Sequence, residues 1–455
     1  MLKPERSLLG SWREGWQQLC CARVLRVKAK VLRRPWRDRA LPEKRNRFLP
    51  VDEVKEEGAI SRVYDTEMTV LVTDLKGFTS TTKKHGIIHF ASIIIRKRQL
   101  CLPILHRYKA AHITTEADNL IVAFPSACDA ARAALELRAA IQKTNATLEE
   151  AKAHFAIQLN GVGIHCGVGL MQSAEGELLG EVARGAYVLG EDLCKGSEIL
   201  VSEAVRLKLQ EDPFFASASF NSREDQETTG AIDFSYFELG GDWKDLQVDL
   251  ASTEDQSFLH PSLLPLAQRH GKSGVELMML DEAIHKHLRP QTVLMFSIDS
   301  QNGSQDEAAI MQMNKSRAAL RPILEQHGGR ALEAELFVFD QASQAVSAAL
   351  AAREAVGAGA DAVSGFGLHL GDLLLIPETD VHWGDAVNTA SKLGQDIATD
   401  QNILISAAVQ QAIRESNGLG LEMEPLTVSR SNVSFQCFRI SRPPPEPLAA
   451  AGEPA

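Results

Sequence analysis

At 455 residues the chain is long enough for two or three domains, each able to bury its own core. Hydrophobic content of 44% and charged content of 24% are ordinary for a globular protein, and no apolar run is long enough to expect a membrane span or a secretory leader. The formal charge of −11 is uneven: residues 1–47 hold 14 Lys/Arg against 4 Asp/Glu, a net +10, which leaves −21 for the rest and argues against general nucleic-acid binding.

Seven cysteines, an odd number without framework spacing, point to reduced thiols and a cytoplasmic setting. Residues 1–61 read as a basic tail carrying Trp12, Trp16, Trp36 and adjacent Cys20 and Cys21. For residues 1–50 the alternatives are a membrane-surface helix, acylated at the cysteines, or an organelle-targeting segment. Next, Val70-Leu71-Val72 forms a short continuous apolar run, which predicts a strand buried on both faces over 68–73. Asp74 follows at once, then a turn at Gly77 with Phe78, and Thr79 to Thr82 as caps for a helix. A carboxylate closing a buried strand serves either as a simple cap or as a metal ligand, with the amides of the turn free to hold phosphate.

Residues 80–108 read as one helix with Ile87, Phe90, Ala91, Ile94, Ile95, Leu102 and Leu105 near one face and a kink at Pro103. Short strands on either side of Asp118-Asn119 predict a hairpin, Ala130 to Ile141 a second helix, and Phe155 to Leu170 a further strand. That order is the ferredoxin-like βαββαβ unit, and it recurs. Gly163-Ile-His165-Cys-Gly167 returns 204 residues later as Gly367-Leu-His369-Leu-Gly371, and the same offset pairs Gly180 with Gly384, Gly190 with Gly394 and Ser202 with Ser406. Pro103-Ile-Leu105 answers to Pro322-Ile-Leu324, and Thr69-Val-Leu71 to Thr292-Val-Leu294. The expected organisation is an α+β tandem of two such domains, 62–240 and 289–442, joined by a connector over 241–288 and followed by a Pro/Ala tail over 443–455.

Asp118 sits in a hairpin that the ferredoxin-like order lays beside the strand ending in Asp74. Alone, Asp118-Asn119 is an ordinary turn pair. With Asp74 it makes two neighbouring carboxylates, and a divalent cation relieves their repulsion. With these residues in view, the chain resembles the class III nucleotidyl cyclases, the catalytic domains of adenylate and guanylate cyclases. Thr73-Asp74-Leu-Lys-Gly77-Phe78-Thr79 is similar to their first metal-aspartate motif, and Glu116-Ala-Asp118 to the second. Trp383-Gly384-Asp-Ala-Val-Asn388-Thr-Ala-Ser-Lys392-Leu393 is similar to the transition-state segment.

The resemblance implies an intramolecular pseudo-heterodimer that converts ATP or GTP to the 3′,5′-cyclic nucleotide and pyrophosphate in intracellular signalling. It implies two Mg²⁺ or Mn²⁺ ions on Asp74 and Asp118, triphosphate contacts from Gly77, Phe78 and Thr79, ribose orientation by Asn388 and α-phosphate neutralisation by Lys392. Base recognition falls near Glu333, with Val381 at the second position and Asp380 one residue off. Each copy lacks what the other keeps. Ser297 stands at the position of Asp74, while Arg184 and Val188 stand at those of Asn388 and Lys392. Further departures are Lys392 in place of arginine, Ala117 in place of glycine, and Gly161 where related metal-binding domains often carry a phosphate-binding arginine.

Other chemistries fall away. Gly271-Lys272-Ser273 has Leu266 where a P-loop needs its first glycine. His165 and Cys166 are strand neighbours that face opposite ways, and neither copy holds a nucleophile elbow or a paired-cysteine zinc site. Three classes of function stay open: a cyclase with one competent site, a nucleotide-binding protein without turnover, and an adaptor whose repeats only pair.

Overall fold

The computed structural model describes residues 65–440 apart from 173–176, 224–231, 244–245, 247, 251–255, 299–306, 357–362, 417–419 and 431–432. The expectations for the basic N-terminal tail and the Pro/Ala tail lie outside the described residues. By internal contacts the chain forms two units. The first runs through residue 287 and also takes in 302–309 and 374–381; the remainder from residue 288 forms the second.

In the first unit the order is β1 (Asp65–Leu75), α1 (Phe78–His85), α2 (Ile87–Arg107), β2 (His112–Glu116), β3 (Asn119–Phe124), α3 (Ala127–Ala146), β4 (Leu159–Gln172), β5 (Glu177–Leu179), α4 (Glu181–Tyr187), β6 (Glu198–Ser202), α5 (Glu203–Gln210), β7 (Ser219–Arg223) and β8 (Tyr236–Gly240). The sheet order is β2-β3-β1-β4-β6-β8-β7, with β5 on the margin of β4. Its first four strands are the ferredoxin-like core. β1 is central because Val70, Leu71 and Val72 are fully buried and pair antiparallel with β3 on one side and β4 on the other.

The single helix expected over 80–108 is two. Gly86 takes a φ of 82°, open to glycine but strained for other residues, so α1 ends there and α2 starts anew. Pro103 lies inside α2, which continues to Arg107. The single apolar face expected for this helix also gives way, because α2 is buried on nearly every side, His89, Lys97, Arg98 and Gln99 included. After β8 come α6 (Leu264–Gln268) and α7 (Gly274–His285). The short helix α6 packs along α2, and beside it Arg269 donates to the Ile88 carbonyl and to the Ser92 hydroxyl.

The second unit holds β9 (Leu288–Ile298), all but the first residues of α8 (Glu307–Gln326), β10 (Arg330–Ala331), β11 (Leu336–Phe339), α9 (Ala342–Val356), all but the last residues of β12 (Val363–Leu375), β13 (His382–Trp383), α10 (Asp385–Ser391), β14 (Asn402–Ser406), α11 (Ala407–Glu415), β15 (Met423–Arg430) and β16 (Val433–Ile440). Its sheet order, β10-β11-β9-β12-β14-β16-β15, is that of the first unit. The core sits under one face, where Leu294, Phe296, Phe337, Phe366 and Ile405 meet the small residues of α9.

The registers repeat residue by residue. Gly161 pairs with Glu198 in β4–β6, and Gly365 with Asn402 in β12–β14, each member moved by 204. One steric reason for the recurring glycines is visible. A Cβ on Gly163 would strike the backbone of Gly190 and Ala186, and one on Gly367 the backbone of Gly394 and Ala390. These contacts seat each strand on a π-helical turn, Val188–Leu193 in one copy and Lys392–Ile397 in the other. Backbone cannot yield as a side chain does, so Gly163→Ala and Gly367→Ala are each expected to lower stability by about 3 kcal/mol, read by chemical denaturation.

Candidate functional site

Asp74 lies at the end of β1, opposite Gly161 of β4. The pairing of Thr73 with Leu120 sets the β2–β3 turn beside it. There the Asp118 carboxyl is close enough to Asp74 for each to feel the other's charge. Asp74 Oδ2 accepts from Asn160 Nδ2 at 3.0 Å. With its side-chain amide oriented to satisfy both ends, Asn119 donates to Asp74 Oδ1 at 3.3 Å and to the Thr73 carbonyl at 2.8 Å. The sheet therefore brings Asp74 and Asp118 together, as the hairpin expectation requires.

The pocket of charge is acidic. Burial, then Asp118 and Glu191, push the Asp74 carboxyl up to about 7, while Lys97 and the Asn160 hydrogen bond pull the other way. Burial is also the largest influence on Asp118, raising it, with Lys97 opposing. Two half-satisfied carboxylates of this kind fit a hard divalent cation, which relieves the repulsion and replaces the missing solvent. Among the described residues no group of three or more His, Cys, Asp or Glu side chains is placed to hold a metal. A cation here would take two carboxylates and complete its shell with water or phosphate oxygens, a common arrangement for Mg²⁺.

Two consecutive cations on α2 grip two consecutive carbonyls of this turn. Lys97 Nζ donates to the Asp118 carbonyl at 2.6 Å, and Arg98 donates to the Ala117 carbonyl at 3.0 Å. Arg98 also pairs with Asp380 at 2.7 Å, and Thr115 Oγ1 donates to the same carboxylate oxygen at 2.6 Å. Ala117 holds a φ of 47°, the left-handed region where glycine is at home. The turn thus keeps its shape without the glycine, with local strain. Ala117→Gly is expected to raise stability by about 1 kcal/mol, visible as a higher Tm.

Gly77, with a φ of 87°, turns the chain from β1 into α1, and its carbonyl accepts from the Thr81 N–H at 2.9 Å. Phe78 and Thr79 open α1; their side chains lie outside the described set. Gly161 has no room for a side chain, because a Cβ there would run into the Cys194 side chain.

In the second unit Asn388 and Lys392 are four residues apart on α10 and its π-helical continuation, which places them one turn apart on one side. Asn388 is half-buried and Lys392 exposed. The start of α10 is tied down by Asp385, which pairs with His369 Nε2 at 2.8 Å, while His369 Nδ1 meets the Ser406 hydroxyl at 2.7 Å. That hydrogen bond from His369 holds the Asp385 carboxyl below its usual range.

Of the positions that lost their chemistry, two are buried and one, Arg184, is half-buried. Ser297 is fully buried and bonds the Ser364 hydroxyl, and Ser364 stands 204 residues beyond Asn160. Val188 is buried, and Arg184 pairs with Glu181 at 2.7 Å. Glu333 pairs with His382 at 2.8 Å. Its hairpin is shorter than its counterpart: Ile113 pairs with Val122 nine residues on, whereas Ala331 pairs with Phe337 six residues on. Counted back from β11, Glu333 answers to Asp118; counted forward from β10, it answers to Thr115. Asp380 belongs to the first unit and Glu333 to the second. The sequence reading missed Lys97, Asn160 and His382. Lys97 and His382 carry no periodic or motif signal; the repeat offset that pairs Asn160 with Ser364 was available.

No family model matches the chain, and no curated protein matches it. Solved structures do. An adenylate/guanylate cyclase/hydrolase from Silicibacter pomeroyi is 20% identical over 34% of this chain and 98% of its own, with a TM-score of 0.30. The adenylyl cyclase CyaB from P. aeruginosa is 16% identical over 40% of this chain and 98% of its own, TM-score 0.33. These are nucleotide cyclases. A third, the guanylyl cyclase Cya2, is 16% identical over 39% and 93% of the respective chains, TM-score 0.33. A rhodopsin-guanylyl cyclase catalytic core with converted specificity, in complex with ATPαS, is also among the similar structures.

Proposed function

We propose that the protein is a nucleotidyl cyclase that converts ATP, or GTP, to the 3′,5′-cyclic nucleotide and pyrophosphate, acting inside the cell and not on nucleic acid. The observation that carries this is the complementary loss. One repeat keeps Asp74 and Asp118 side by side and has Val188 in place of a phosphate-contacting cation; the other keeps Asn388 and Lys392 on one helix side and has a buried Ser297 in place of the carboxylate. Counted over both repeats, the chain keeps one full set of these groups.

In this reading Asp74 and Asp118 hold the divalent cation, Mg²⁺ or Mn²⁺. The ion would acidify the ribose 3′-hydroxyl and neutralise the triphosphate. The turn at Gly77, with Phe78 and Thr79 at the start of α1, offers backbone N–H groups to the phosphates. Asn388 orients the ribose, and the ammonium of Lys392 balances charge that grows on the α-phosphate as the 3′-oxygen attacks and pyrophosphate leaves. Asp380 and Glu333, with His382 beside Glu333, are the side chains proposed to face the base. ATP is the proposed substrate of the two.

The test is cyclic-nucleotide formation by the purified full chain with Mn²⁺ or Mg²⁺ and either nucleotide, read by mass spectrometry. Cyclic AMP formed faster than cyclic GMP is the expected result, and the reverse order overturns the base assignment. No product from either nucleotide, together with a nucleotide-dependent rise in Tm, replaces the enzyme with a binding protein.

A further inference from the structure

Lys97 has no part in the chemistry assigned so far, yet among the described residues it is the least exposed lysine or arginine. Its side chain is 0% exposed, although lysine is among the residues least often fully buried. Its ammonium donates to the Asp118 carbonyl at 2.6 Å and lies within electrostatic reach of both Asp74 and Asp118. Burial pushes Lys97 toward its neutral form, while Cys101 and then Asp118 and Asp74 favour the ammonium.

The second copy supplies an internal control. The two helices align through Pro103 and Pro322, 219 residues apart, which sets Ser316 at the place of Lys97 and Arg317 at the place of Arg98. Where Asp74 has become Ser297, the lysine has become a serine as well. The arginine, which has its own acid in each copy (Asp380 for Arg98, Glu335 for Arg317), is retained. The lysine has gone with the carboxylate, as a counter-ion would, and not with the helix.

We propose that Lys97 is a resident cation of the carboxylate pair, so that the site takes up one divalent ion per chain and not the two implied by the cyclase resemblance. Charge supports the count. Once a cation has ionised them, Asp74, Asp118 and the nearby Glu191 carry three negative charges against one from Lys97, and the difference is that of a single divalent ion. A second divalent ion placed against the same two carboxylates would also stand near the Lys97 ammonium and be repelled by it. Lys97 is a positioning residue here, acting through the carboxylates and the turn that carries Asp118.

This inference rests on the proposal that Asp74 and Asp118 hold metal, and its test uses the metal alone, so that failure of nucleotide turnover leaves it intact. Full-length protein is titrated with Mn²⁺, and the free-ion signal is followed by electron paramagnetic resonance. One bound Mn²⁺ per chain is expected, abolished by Asp74→Asn. Lys97→Met, which removes the repulsion, is expected to tighten that ion at least tenfold, whereas Lys97→Arg should stay within about threefold of the unaltered protein. Two ions or none on the unaltered chain, an ion that survives Asp74→Asn, or no tightening in a folded Lys97→Met protein overturns the proposal. If Lys97→Met lacks a cooperative thermal transition, the count on the unaltered chain and the Lys97→Arg affinity decide it.

Discussion

Asp74→Asn, Asp118→Asn, Asn388→Ala and Lys392→Ala are each expected to cut cyclic-nucleotide formation by at least about 10²–10³-fold, the usual consequence of deleting one group that stabilises charge in the transition state. The carboxylate changes belong at the upper end, because they remove the ligands of the cation as well as a charge. Arg184→Gln, Val188→Ile and Ser297→Ala are expected to leave turnover within a few-fold, since Val188 and Ser297 are buried in their own packing and Arg184 is engaged by Glu181. Initial rates at saturating Mn²⁺ and nucleotide give the comparison. Equal sensitivity at Ser297 and Asp74, or full activity from the isolated first repeat, would sink the proposed division of roles between the two copies.

Glu335→Ala is expected to destabilise the second unit by about 3–5 kcal/mol. Glu335 is 1% exposed and pairs with Arg317, itself 7% exposed, so removing the carboxylate strands a charge in the core. A loss of that size in a unit of this length lowers Tm by roughly 10 °C or more. The joint change Arg317→Met with Glu335→Leu should recover most of it, because apolar partners of similar volume fill the space without a desolvated charge. A single change that costs no more than an exposed ion pair, under about 1 kcal/mol, would show that water reaches the pair. Arg98 at the matching place of the first unit has Asp380 as its acid, drawn from the segment 374–381. The two copies thus satisfy one buried arginine with acids from different parts of the chain.

Several elements were legible from short-range pattern alone. The run Val70-Leu71-Val72 marks a strand buried on both faces wherever it is placed, and β1 is central in its sheet. Gly163 and Gly367 are legible as a repeat because both strands meet backbone where no Cβ fits, so both copies show the same letter at the same spacing. The βαββαβ order follows from the succession of such elements. The hairpin at Asp118 also announces itself through the two apolar stretches that flank it.

Other features depend on what arrives from far along the chain. Periodicity gave α2 a solvent face, but α6 and Arg269, more than 150 residues on, cover it. A lysine followed by an arginine on a helix reads as a solvated stripe. Lys97 and Arg98 are buried because the β2–β3 turn presents carbonyls to them and Asp74, Asp118 and Asp380 supply charge. Whether a charge is buried is set by the groups that face it, and those groups are not neighbours in sequence. So the amino-acid order by itself determined the two copies, their strand order and which half keeps which chemical groups. The tertiary structure decided the surroundings of those groups: which carboxylates stand together, which cation stands with them, and which lost positions are sealed.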